Sequence, residues 1–181
     1  MNKDFFDIYY DQYNQEMMEA DRIYQKAGVM LLVLPLFSTA LVKLGRIDLI
    51  VSCFTRVDIF LYYFFSLVAG LAIVASAIFI FLCVYPRKYE TLATMNVWEE
   101  WRGKYREYLD KNKGHKASND TLDKETIAYL HSRLVEAQPV NAQINEKRRK
   151  AFQRSVLLAA IALTAIGFQA LFYLVLKIQG V

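Results

Sequence analysis

The side chains able to do covalent chemistry are few in this sequence, and their spacing suits none. His115 lies in a stretch with the composition of a turn and His131 in a helical one, and neither has a second His, Cys or carboxylate at metal-ligand spacing. No glycine-rich phosphate loop or serine motif occurs, and neither histidine follows an Arg by four to six residues, which removes one ribonuclease signature. Cys53 and Cys83 fall near opposite ends of one segment, too far apart for a disulfide. The expectation is a protein that is not an enzyme and holds no metal or cofactor.

What remains is the chemistry of surfaces and helix contacts. Lys147, Arg148, Arg149, Lys150 and Arg154 form a basic cluster suited to anionic lipid heads, at about 1 kcal/mol for each charge near the surface, or to a phosphate-bearing ligand. Trp98, Trp101, Tyr105 and Tyr108 recur at intervals of three and four and make an aromatic face for a partner or a trigger. Ser66 and Gly70, Ala72 and Ser76, Ser155 and Ala159, and Ala160 and Thr164 are each four apart, which lets helix backbones approach closely in lipid. Gln169 is the one strongly polar residue of its apolar segment, and such a side chain bonds a neighbouring helix or faces a water-filled interior. Gln169, Ser66, Gly70, Ser76 and Thr164 are therefore the candidates for helix contact or path lining. Asn141, at a core position of a heptad pattern, is the candidate for setting register between copies, with hydrogen bonding inside one chain as the alternative.

The elements that must position these residues are dominated by a run of about 27 residues, 59–85, without a charge. A hydrocarbon core about 30 Å thick needs roughly 20 apolar residues, so this is a transmembrane helix, with Phe60, Tyr62, Tyr63, Phe64 and Phe65 crowding one end and Tyr85 closing the other. Residues 155–176 form a second charge-free span, and 27–44 a shorter one interrupted by Pro35, where Ser38 and Thr39 can satisfy freed backbone groups. Residues 1–26 read as an amphipathic helix with an acidic polar face, 45–58 as an external loop and 177–181 as an external tail. Fifteen of the 22 Lys and Arg residues fall in 86–154, which places that stretch and the N-terminus in the cytoplasm. The net charge of +4 is accounted for by membrane orientation, and no motif points to direct nucleic-acid binding.

Within 86–154 the Trp and Tyr repeat predicts that the helix of the second span runs on to about Asp110. A turn follows over 111–120, then a helix with Ile127, Leu130, Leu134, Ala137, Asn141 and Ile144 in register toward Ala151 and the last span. Pro139 is expected to bend that helix. The fold class is an all-α membrane protein with three transmembrane helices and a cytoplasmic antiparallel helical hairpin.

This layout, with Ala20-Asp21 and Lys26-Ala27 leading into the first span, Pro86-Arg87 leaving the second and Asn141, Asn145 and Lys147 preceding the third, resembles the small membrane effectors of bacterial anti-phage systems. It is similar in particular to the effectors of Pycsar cyclic-pyrimidine signalling and to transmembrane effectors linked to retrons and oligonucleotide-cyclase operons. The resemblance implies an inner-membrane protein, held inactive until a cyclic nucleotide or an operon-encoded partner signals infection, that then disrupts the membrane. The effector reading adds a homo-oligomer in the lipid bilayer forming a pore or depolarising defect. The rival reading is a non-toxic anchor that recruits a cytoplasmic partner through the aromatic face.

Overall fold

The structure, a computed structural model, describes residues 3–45, 56–92, 95–113 and 119–178; the expected loop tip, turn and tail, with Cys53 and His115, lie outside the described residues. Four helices account for nearly all of it: α1 (Lys3–Gly45), α2 (Arg56–Val84), α3 (Met95–Lys113) and α4 (Asn119–Ile178). No strand occurs among the described residues. Three of the helices, over Asp7–Gly45, Ile59–Val84 and Asp120–Val175, are long and apolar enough to cross a membrane, so the chain is an all-α, multi-pass membrane protein.

The acidic N-terminal stretch and the first apolar segment form one helix of 43 residues, about 65 Å at 1.5 Å per residue. Nothing between them breaks a helix: Gln25, Lys26 and Ala27 are good helix formers and Gly28 only weakens one. Pro35 sits inside it, and the Ser38 hydroxyl donates to Leu34 O at 3.0 Å and the Thr39 hydroxyl to Pro35 O at 2.8 Å. These bonds serve neighbouring carbonyls rather than Leu31 O, the acceptor that Pro35 cannot reach.

The expected continuity of the aromatic arm with the span before it fails. α2 ends at Val84 and α3 starts only at Met95, so the aromatic arm does not continue the second span. Tyr85 N–H makes a last helical bond to Phe81 O at 2.8 Å; Pro86 then disfavours helix at the residue before it and has no N–H to donate. The other arm is continuous with its span as expected, in a helix of 60 residues that retains Pro139 without interruption. α3 and α4 pair antiparallel, Trp98 against Tyr129 and Arg102 against Asp123.

The contacts separate into two units, Met1–Ala20 with Arg87–Asn145, and Asp21–Pro86 with Glu146–Val181. In the first, Tyr13, Leu134 and Ala137 form a small core flanked by Tyr9, Met17 and Leu92. In the second, small residues let α2 and α4 meet closely: Ala69, Ala72 and Ile73 pack on Ala162, Ala165 and Ile166, and Ile80, Cys83, Ala151 and Ala159 join Ile23, Ala27 and Leu34 of α1. At one crossing the Ser76 and Ser155 hydroxyls lie 2.7 Å apart and Ser76 Oγ donates to Ser155 O at 2.9 Å. Without a hydrophobic effect between helices in lipid, such close approach supplies the packing. Ser155→Leu, which overfills this fully buried contact at a cost of about 1–3 kcal/mol, is expected to lower the melting temperature in detergent. Leu157→Ala, on the exposed face of the same helix, leaves it near the wild-type value.

Candidate functional site

In the first unit, α1, α3 and α4 enclose a cleft of about 650 Å³. α1 contributes Tyr10 and Tyr13, the connection before α3 contributes Leu92, α3 contributes Trp98, Glu99 and Arg102, and α4 contributes Asp123, Thr126, Ile127 and Leu130. The three- and four-residue spacings on each helix bring these side chains to one wall. The Arg102 guanidinium is ion-paired with Asp123, while its buried Nε has no hydrogen-bond partner. Three aromatic rings beside a forked donor and two carboxylates can hold a planar, hydrogen-bonding ligand, and the volume lies within the range of about 300–1,000 Å³ common to small-molecule sites.

The aromatic face read from α3 is divided by the fold. Trp101 stacks on Tyr129 with centroids 5.2 Å apart and on Tyr105 at 5.1 Å, so both rings are used inside the hairpin. Trp98 meets Tyr129 edge-on at 5.4 Å and turns toward the cleft, and only Tyr108, 58% exposed, stands well out. On the same helix Lys104 donates to Glu100 at 2.5 Å, which holds that carboxyl below and the ammonium above their usual ranges. Both groups are solvated, so this is a surface pair supporting the helix.

Asn141 is turned to the main chain of its own protein. Its Nδ2 donates to Glu90 O at 2.9 Å and its Oδ1 accepts from Glu90 N–H at 3.0 Å, so the side chain expected to set register between copies is engaged within the chain. One turn on, Asn145 Nδ2 donates to Glu16 O and to Glu16 Oε2, each at 2.7 Å, and Asn145 Oδ1 accepts from the Tyr89 hydroxyl at 2.5 Å. Leu92 N–H donates to the Tyr13 hydroxyl at 3.3 Å. Residues 89–92, outside any helix, thus take their partners from side chains of α1 and α4. Glu16, Tyr89 and Tyr13 were given no role from sequence; two asparagines four apart on one helix face mark where partners are needed without saying which residues supply them.

In the second unit the five basic residues do not act together. Lys147, Arg149, Lys150 and Arg154 are exposed, with Lys150 paired to Glu146 at 2.6 Å and Arg154 lying 5.6 Å from the Phe79 ring centroid. Arg148 is fully buried: it donates to Tyr85 O at 3.1 Å and lies 4.5 Å over the Tyr24 ring, so the lipid or phosphate contact expected of the cluster does not extend to it. A cation near the C-terminal end of α2 also suits the helix dipole.

Gln169 is fully buried and points at α2, where Nε2 donates to Ser66 Oγ at 2.5 Å. It faces no open path here, and its buried Oε1 has no partner. The Tyr62 hydroxyl donates to Leu44 O at 2.6 Å, tying α2 to the end of α1. Ser76 is used at the Ser155 crossing, and a Cβ built on Gly70 would meet Leu41 Cδ2 at 3.8 Å. Thr164 alone of the small-residue candidates is exposed, with its hydroxyl on Ala160 O of its own helix at 2.9 Å. Among the described residues no group of three His, Cys, Asp or Glu could hold a metal; His131 packs against the Tyr9 ring at 4.8 Å.

Two substitutions separate these roles by thermal denaturation in detergent. Asn141→Leu strands the N–H and C=O of Glu90, at about 1–3 kcal/mol for each buried group, and lowers the melting temperature. Gln169→Leu removes an unsatisfied oxygen together with one hydrogen bond and leaves stability close to the wild type.

A family model described as Pycsar effector protein domain matches residues 9–176, a range that takes in the cleft, the connection after α2 and all three apolar helices. No curated protein and no solved structure matches the chain.

Proposed function

The chain belongs to the Pycsar effector family and is a multi-pass anti-phage defence effector, and from that premise we propose that a cyclic nucleotide seated in the cleft triggers it to depolarise the inner membrane. The cleft is the observation that carries this reading. Tyr10, Tyr13 and Trp98 offer ring faces to a base, Arg102 offers donors to a phosphate, and Glu99 and Asp123 can accept from an exocyclic amino group. Catalysis plays no part; ligand binding is converted into a rearrangement of α2 and α4, which carry two of the three apolar spans.

Several features support the setting. Fifteen of 22 basic residues lie in 86–154, which favours a cytoplasmic cleft and an external C-terminus. The exposed Lys147, Arg149, Lys150 and Arg154 suit the anionic inner leaflet. Self-association in the bilayer would build the conducting defect from several copies, through lipid-facing surfaces that include Thr164. A reporter active only outside the cytoplasm is expected to be active when fused after Val181 and silent when inserted at Gly114; activity at Gly114 would overturn the orientation.

The trigger is tested with purified protein and a panel of cyclic CMP, cyclic UMP, cyclic AMP and cyclic GMP. At least one binds, and Trp98→Ala and Arg102→Ala each weaken binding by about five- to 150-fold, since stacking and charge-assisted hydrogen bonds are each worth about 1–3 kcal/mol. In cells expressing the protein, the bound nucleotide collapses the membrane potential. A protein that binds none of the four, or that leaves the potential intact when occupied, would overturn the reading.

A further inference from the structure

Residues 85–92 are where the described chain runs outside helix for longest, and side chains hold the main chain of Glu90 and Leu92 within them. Beyond Pro86, Glu90 is held at both its N–H and its C=O by Asn141, the Tyr89 hydroxyl is held by Asn145, and Leu92 N–H is held by Tyr13. Asn145 is itself fixed to the α1 main chain at Glu16 O. The segment is therefore a strap clamped from α4 at three points and from α1 at one.

The strap is also the wall shared by the cavities of this unit. Leu92 lines the 650 Å³ cleft and two smaller cavities of about 240 and 180 Å³, and Thr91 lines both of the smaller ones. The clamp nearest the cleft is the longest bond of the set, 3.3 Å from Leu92 N to the Tyr13 hydroxyl, and both residues line the cleft. The bonds farther along the strap, at Glu90 and Tyr89, measure 2.5–3.0 Å. A ligand in the cleft meets the strap at its weakest attachment.

We infer that residues 87–92 are a transmission strap: the Asn141, Asn145 and Tyr13 clamps hold the silent state, and a ligand seated against Tyr13 and Leu92 displaces the strap and, through Pro86, the end of α2. This rests on the reading of the cleft as the trigger site. Each clamp adds to the stability of the silent state over the active one, so removing one shifts the population toward the active state and lowers the ligand concentration that completes the change.

The test uses substitutions at the strap that leave the cleft lining intact. Tyr89→Phe deletes one hydroxyl and is expected to insert as the wild type does; Asn141→Ala removes both bonds to Glu90. Full-length protein in vesicles is titrated with each of cyclic CMP, cyclic UMP, cyclic AMP and cyclic GMP while a potential-sensitive dye is followed. Half-maximal depolarisation is expected at about tenfold lower nucleotide in either variant, with a raised leak before any is added. Should Asn141→Ala fail to insert, Tyr89→Phe alone decides. A responding wild type whose threshold is shared by the variants overturns the strap and leaves the proposed function standing; a wild type that responds to none of the four overturns both.

Discussion

A peptide group packed away from water must find a hydrogen-bond partner, at a penalty of several kcal/mol in hydrocarbon, and the rest of this structure depends on that constraint. It is met almost everywhere by helix, which is why α1 and α4 run for 43 and 60 residues without a break and why Pro35 and Pro139 are absorbed inside them. Among the described residues it is met differently in one place. After Pro86 the chain leaves the helix, and Asn141 and Tyr13 supply, at Glu90 and Leu92, partners that a helix would have supplied. This departure from helix is thus held by side chains of α1 and α4.

The same helix that carries these asparagines carries the membrane packing. Leu134, Ala137, Asn141, Asn145, Arg148, Ala151, Ser155, Ala159, Ala162, Ile166 and Gln169 are buried at intervals of three and four along α4. Polar members of this stripe bond to neighbouring segments and small members admit close neighbours, so one face of one helix specifies what lies against it along most of its length. Gln169 bonds α2 through Nε2, while its buried Oε1 has no hydrogen-bond partner.

The apolar helices were legible because charge-free runs leave little choice, and the antiparallel hairpin because its helix periods are separated by a turn-rich stretch. The merging of the acidic segment with the first apolar one was hidden by a change in chemistry at Lys26 that is not a change in backbone preference. The break after α2 was available from Pro86 but was overridden by the aromatic repeat, whose period is real and belongs to a separate helix. Arg148 was lost among four basic neighbours, and only its place on the buried stripe, three residues before Ala151 and seven after Asn141, distinguishes it. No local pattern could reveal the partners of Asn141 and Asn145, because they lie 51 to 129 residues away in the chain. The cleft is a tertiary product of three helices for the same reason.

The proposed function requires that a soluble signal be converted into a failure of the barrier, and it rests on three parts of this chain: a small-molecule-sized cleft, a side-chain-clamped strap along its wall, and apolar helices. The direct measurement is made on vesicles that contain only the purified protein and hold a potassium diffusion potential, to which cyclic CMP or cyclic UMP is added. The account predicts that the potential collapses on addition, and that it persists when the protein carries Arg102→Ala. A potential that survives saturating nucleotide, with binding to the same vesicles demonstrated, would contradict it.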